Sequence, residues 1–172
     1  MSLHNKRIPC ILPATLLTAM FSLNCLAALK TGDVLPDLSS FQLEGRIPDD
    51  LKGQVILLDF WASWCAPCKA SFPAMQELAT RYKGAGFSII AVSVDEKPQN
   101  MDRFLQTTKV SFTVVRDPNQ KLVAAANVPA MPTSFLIDRA GRIRFVHPGF
   151  DRDETMRQYV KEIEQLLKEP KP

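Results

Sequence analysis

Val55-Ile56-Leu57-Leu58-Asp59-Phe60-Trp61-Ala62-Ser63-Trp64-Cys65-Ala66-Pro67-Cys68-Lys69 joins the strongest strand signal of the chain to its most reactive pair of side chains. The first seven residues form a nearly continuous apolar run, the kind buried on both faces of a parallel sheet, and they predict a central strand. Phe72, Met75, Leu78, Ala79 and Tyr82 then recur at helical spacing until Gly84 and Gly86, which predicts a helix from Cys68 to Tyr82. Strand therefore runs into helix with Cys65 at the join.

Working outward, Phe87 to Val94 predicts a second buried strand, and Met101, Phe104 and Leu105 a helix after Pro98. A short strand over Phe112 to Val115 and a helix over Pro118 to Ala126 follow. Thr133 to Ile137 and Arg142 to Val146 read as a hairpin across Arg139-Ala140-Gly141. Met156, Tyr159, Val160, Ile163, Leu166 and Leu167 describe an amphipathic last helix, capped by Asp151 or Asp153. Toward the N-terminus, Phe41 and Leu43 alternate with polar residues before Glu44-Gly45, which predicts an N-terminal hairpin. The expected class is α/β, one domain with a central sheet flanked by helices.

Composition narrows the function classes. The 172 residues are 46% apolar, enough for one core and not for two. The formal charge of +3 includes Lys6 and Arg7, and without these two the chain holds 19 basic and 18 acidic residues. No segment concentrates Lys or Arg, so a phosphate backbone is not the expected partner and nucleic-acid binding is excluded.

Lys6 and Arg7, the apolar stretch from Ile8 to about Leu23, and Cys25-Leu26-Ala27 have the three parts of a secretory leader. We read residues 1–27 as a signal peptide cleaved after Ala27, and residues 28–172 as the working domain, placed in the periplasm. Two alternatives stay open. The apolar run is long enough to serve as an uncleaved inner-membrane anchor, although Pro9, Pro13 and Asn24 interrupt it. Cys25 would carry a lipid if the chain were a lipoprotein, but Ser22-Leu23-Asn24 is a poor approach to such a site.

With Cys10 and Cys25 in the leader, Cys65 and Cys68 are the cysteines left to the working domain, and no separate structural disulfide can form. An exported domain of this size can build its core without cross-links, so the pair is there for chemistry. Thiol-disulfide exchange needs one thiolate that attacks and a second thiol close enough to resolve the mixed disulfide. At a helix N-terminus Cys65 faces unpaired N–H groups and the positive end of the dipole, while Cys68 lies one turn further in, shielded. Pro67 suits a first helical turn because it has no N–H to lose and its backbone angle is preset. Trp61 reads as core and Trp64 as a partly exposed flank of the site.

A zinc site would need two further ligands, and the working domain offers no other cysteine and His147 alone. A copper carrier would need His147 to join the two cysteines, whereas a histidine at a strand end reads as solvent-facing. No metal and no cofactor is expected, because the dithiol is itself the redox group.

Asp59 to Lys69 closely resembles the active-site stretch of thioredoxins, and Pro73, five residues after Cys68, matches their helix-kinking proline. Gly32 to Leu43, Leu51-Lys52-Gly53, and the extra strand-helix segment between Val94 and Val128 are similar to the exported TlpA/ResA/CcmG branch. The resemblance covers nearly all of the domain and implies a thioredoxin-like fold with a mixed sheet, an N-terminal hairpin and a strand-helix insertion. It also implies that Cys65 is the nucleophile, Cys68 the resolving thiol, and Met131-Pro132 a cis peptide facing them. Such a bond would leave the Met131 backbone to pair with an extended substrate beside Trp64 and Pro67, and would keep an N–H away from the sulfurs.

Two departures stand out. The branch usually carries a glutamate three residues after the second cysteine, where this chain has Ser71. Many members replace the buried thioredoxin aspartate, which is kept here as Asp59, while the neighbouring thioredoxin lysine aligns with Ala91. Desolvation should raise the Asp59 pKa and suit it to accept the proton of Cys68 during resolution, and without the lysine it is expected to rest as an unpaired, protonated acid. A carboxyl satisfied by backbone N–H groups is the competing reading.

Ala66-Pro67 between the cysteines is nearer the Gly-Pro of reductants than the histidine-containing pairs of oxidants. The expected activity is reduction of disulfides in exported proteins, apocytochromes c among them, with electrons supplied by a membrane thiol carrier. A disulfide-forming oxidant, a thiol peroxidase and a copper chaperone remain as alternatives.

Overall fold

The computed structural model describes residues 29–171, and residues 1–27, read above as a leader and holding Cys10 and Cys25, lie outside them. Five strands and four α-helices follow one another: β1 (Val55–Trp61), α1 (Ala66–Arg81), β2 (Phe87–Ser93), α2 (Pro98–Thr107), β3 (Thr113–Arg116), α3 (Lys121–Ala126), β4 (Thr133–Ile137), β5 (Ile143–Pro148) and α4 (Arg152–Lys168). The sheet order is β3-β2-β1-β4-β5. β1 runs parallel to β2 and antiparallel to β4. This is the mixed sheet of the thioredoxin-like fold.

All seven residues of β1 are buried, as its unbroken apolar run requires of a central strand. Asp59 and Trp61 share one face of the sheet. On that face Trp61 packs edge-on against Phe72 of α1 at 4.5 Å and at a tilt against Phe104 of α2 at 5.2 Å, and Phe104 meets Phe72 at 4.9 Å. This aromatic cluster clamps α1 to the sheet directly behind the cysteines. Truncating Phe72 to Ala would cost about 3–5 kcal/mol through lost burial and the cavity left behind. On the opposite face Phe60 meets Phe135 at 5.9 Å.

Two sequence expectations are corrected here. The N-terminal segment makes no hairpin: Leu38–Phe41 is a short 3-10 helix, capped by the Asp37 side chain on Ser39 N–H. Instead of pairing with itself, the segment makes two isolated antiparallel bridges, Val34 to Arg142 and Glu44 to Arg116. Gly45, read as a turn glycine, serves a close approach: a Cβ there would lie 3.1 Å from Val115 Cγ1 and 3.2 Å from Val114 O. The insertion between Val94 and Val128 supplies α2 and the edge strand β3, followed by α3. Among the described residues no helix is long and apolar enough to cross a membrane.

Candidate redox site

β1 ends at Trp61 and α1 begins at Ala66, so the intervening turn carries Trp64 and Cys65 at the C-terminal end of a central strand. Cys65 is the N-cap of α1, and its sulfur accepts from Cys68 N–H at 3.2 Å. Pro67 occupies the first turn, as its preset backbone angle allows, and the helix continues through Pro73. Cys65 and Cys68 are joined by a disulfide, with Cα atoms 5.3 Å apart. The environments differ: Cys65 is 6% exposed beside the exposed pair Ala66-Pro67, while Cys68 has no exposure.

Trp61 is core and Trp64 is 67% exposed, so Trp64 flanks the cysteines with an apolar surface open to a partner. The peptide between Met131 and Pro132 is cis. β4 starts at the next residue, and Thr133 pairs with Phe60, which sets Met131-Pro132 beside the end of β1 that carries the reactive turn. Pro132 C=O accepts from Gly149 N–H at 2.7 Å, whereas neither the N–H nor the C=O of Met131 has a partner among the described residues.

Asp59 is 1% exposed, and burial pushes its carboxyl up to about 7 from the ordinary 3.8, against the lowering effect of a Ser134 hydrogen bond. Its one hydrogen bond comes from a side chain, and no backbone N–H group holds it. Ser134 Oγ donates to Asp59 Oδ1 at 2.5 Å, and Tyr159 OH donates to Ser134 Oγ at 2.7 Å. Oδ2 has no partner among the described residues. Ser134 is the β4 neighbour of Asp59 in the sheet and Ala91 its β2 neighbour.

His147 also departs from expectation. It is half-buried, Nε2 lies 2.7 Å from Glu162 Oε2, and its ring stands edge-on to Tyr159 at 5.1 Å. Ser71, at the position of the branch's glutamate, is buried and donates to Cys68 C=O at 2.7 Å. It braces the first turn of α1 rather than presenting a charge.

Sequence reasoning missed Ser134, Tyr159 and Asp95. Asp95 is sealed at 1% exposure, and accepts from Ser63 N–H at 3.0 Å, Ser63 Oγ at 2.8 Å and Ser93 Oγ at 2.9 Å. It ties the turn before Cys65 to the end of β2. The buried Arg116 holds the same corner, donating to Asp95 C=O and Glu96 C=O while paired with Glu44 at 2.7 Å. A signal existed for two of the three. Tyr159 is the hydroxyl-bearing member of the α4 apolar stripe, and Asp95 closes a buried run with a charge.

Among the described residues no group of three or more metal-ligating side chains converges. A disulfide-forming pair at a helix N-terminus, with one sulfur near the surface and the other sealed, is a device for exchanging disulfides.

Comparison with known proteins agrees. The family model described as Redoxin matches residues 30–167. Thiol-disulfide oxidoreductase ResA of Geobacillus thermodenitrificans is 33% identical over 138 residues, 79% of each chain. ResA of Bacillus anthracis is 35% identical over 137 residues, 78% of this chain and 79% of that one. Among solved structures, a Chlorobium tepidum chain bearing the name thiol:disulfide interchange protein DsbE superposes with a TM-score of 0.74 at 40% identity, covering 81% of this chain and 99% of that one. StoA of Bacillus subtilis superposes with a TM-score of 0.56 at 28% identity, over 63% of this chain and 84% of that one. Sheet, cysteine pair and relatives lead to one assignment: the chain belongs to the redoxin family and is a thioredoxin-fold thiol-disulfide oxidoreductase.

Proposed function

We propose that the Cys65-Cys68 couple is reducing, and that the domain 28–172 donates electrons to disulfides of exported proteins in the periplasm. The supporting observation is the sparse stabilisation of Cys65: one backbone N–H reaches its sulfur, and no charged side chain among the described residues bonds to it. Oxidants of this chemistry owe their high potentials to a strongly stabilised thiolate, so a thiolate with little support leaves a reducing pair.

In this reading the Cys65 thiolate attacks a client disulfide, a Cys65–client bond forms, and the displaced client sulfur leaves with its electron pair and takes a proton from water. Asp59 then accepts the Cys68 thiol proton. The Cys68 thiolate attacks Cys65 Sγ, the Cys65–client bond breaks, and the second client sulfur leaves and is protonated. Two electrons pass to the client, and the internal disulfide remains. Trp64, Pro67 and the free backbone of Met131, next to Pro132, form the ledge for an extended client segment. A membrane thiol carrier restores the dithiol, and residues 1–27 serve as leader or anchor. Haem-attachment cysteines of apocytochromes c are one client class that fits.

Equilibration of the pair in defined thiol buffers tests the direction. A potential near the thioredoxin value of about −270 mV is expected, and one near the DsbA value of about −120 mV overturns the reading. A Cys68→Ser variant would hold clients on Cys65 as mixed disulfides and identify them.

A further inference from the structure

Asp59 lies on β1 between two unlike neighbours in the sheet, a methyl group on β2 (Ala91) and a hydroxyl on β4 (Ser134). All three are buried. From α1, which packs on this face, comes the sealed Cys68, and from α4 comes Tyr159. His147 of β5 and Glu162 of α4 are bonded to each other, with the imidazole against the Tyr159 ring. No lysine or arginine bonds to the Asp59 carboxylate among the described residues.

We propose that Ser134 and Tyr159 are positioning residues for Asp59, holding Oδ1 as a permanent acceptor and leaving Oδ2 as the oxygen that carries the exchangeable proton. This deepens the reading of Asp59 as proton partner of Cys68 and rests on it.

The geometry supports the division of labour. Tyr159 OH donates to Ser134 Oγ and Ser134 Oγ donates to Oδ1, so both hydrogen bonds run toward the carboxyl and reinforce each other. The phenol cannot reverse the chain by ionising, because burial and the neighbouring Asp59 charge push the Tyr159 pKa further up. A carboxyl this deeply buried, with neither a cation nor a donor, would hold its proton too firmly to return it near neutral pH. The hydroxyl chain supplies from the β4 side what a positive charge would supply from the β2 side.

The test follows the Asp59 carboxyl carbon by NMR in the oxidised full-length protein, where neither cysteine titrates, with Asp59→Asn for assignment. The wild-type midpoint is expected near 7. Ser134→Ala should raise it by about one to two pH units, the size of a lost charge-assisted hydrogen bond. Tyr159→Phe, which removes one oxygen and keeps the ring, should raise it by roughly a third of a unit. Ser134→Thr keeps the hydroxyl on a strand-compatible side chain and should restore the wild-type value. An Asp59 midpoint unchanged in Ser134→Ala, or unchanged in Tyr159→Phe, overturns the proposal. Failure of the underlying reading has a separate signature: Asp59→Asn would then turn over normally, whatever the midpoints do.

Discussion

Asp59 and Asp95 are equally hidden, each 1% exposed, one inside β1 and the other just beyond the end of β2, yet their surroundings differ in kind. Asp95 receives three hydrogen bonds spread over both oxygens. Asp59 receives one, on one oxygen, and the other oxygen is left bare among the described residues. Burial alone therefore does not make a carboxylate reactive. A fully satisfied carboxylate is a structural tie, and a half-satisfied one keeps a lone pair free to take a proton.

The largest expected effect falls on the tie. Asp95→Ala frees Ser63, Ser93 and the turn that carries Cys65, and should cost about 4 kcal/mol of stability, read from urea unfolding of the oxidised protein. A loss under about 1 kcal/mol would erase the contrast. Asp59→Asn should instead leave the fold intact and slow turnover about a hundredfold, with the first attack by Cys65 unchanged, as stopped-flow formation of the mixed disulfide would show. Equal slowing of both steps would place Asp59 outside resolution.

The same variant should show a pH-dependent gain in stability. Native Asp59 keeps a proton that the unfolded chain releases, so wild-type stability falls as pH rises from about 3.8 to about 7 and stays lowered above. Asn has no proton to keep. It should be more stable than wild type by roughly 2 kcal/mol at pH 8, after allowance for an amide N–H left without an acceptor, and should show no gain at pH 4. Unfolding curves at the two pH values check the sign. The smallest effect belongs outside the comparison: Trp64→Ala should change stability by no more than about 0.5 kcal/mol, since its side chain is largely exposed, while raising KM for disulfide clients.

The parts of the molecule legible in the sequence were those whose reason for existing is local. β1 announced itself by a continuous apolar run, α1 by spacing, and the cysteine pair by its place between them. α1 begins two residues before the expected Cys68 because the helix admits Ala66 and Pro67 into a first turn that needs no donors. Long-range pairings were not legible. Ser134 lies 75 residues from Asp59 and Tyr159 a further 25 from Ser134, and each alone is an ordinary strand serine and an ordinary core tyrosine. The N-terminal alternation of Phe41 and Leu43 was misread because a strand-like pattern also suits a segment that lays alternate side chains on a core while its backbone touches two different strands.

That N-terminal segment has a consequence for self-association. Its bridge at Glu44 occupies a rung on β3 and its bridge at Val34 a rung beside β5, the two outermost strands of the sheet. Open outer strands invite any extended chain to add itself as one more strand. A strap bridged at both borders makes the sheet a poor template for such chains.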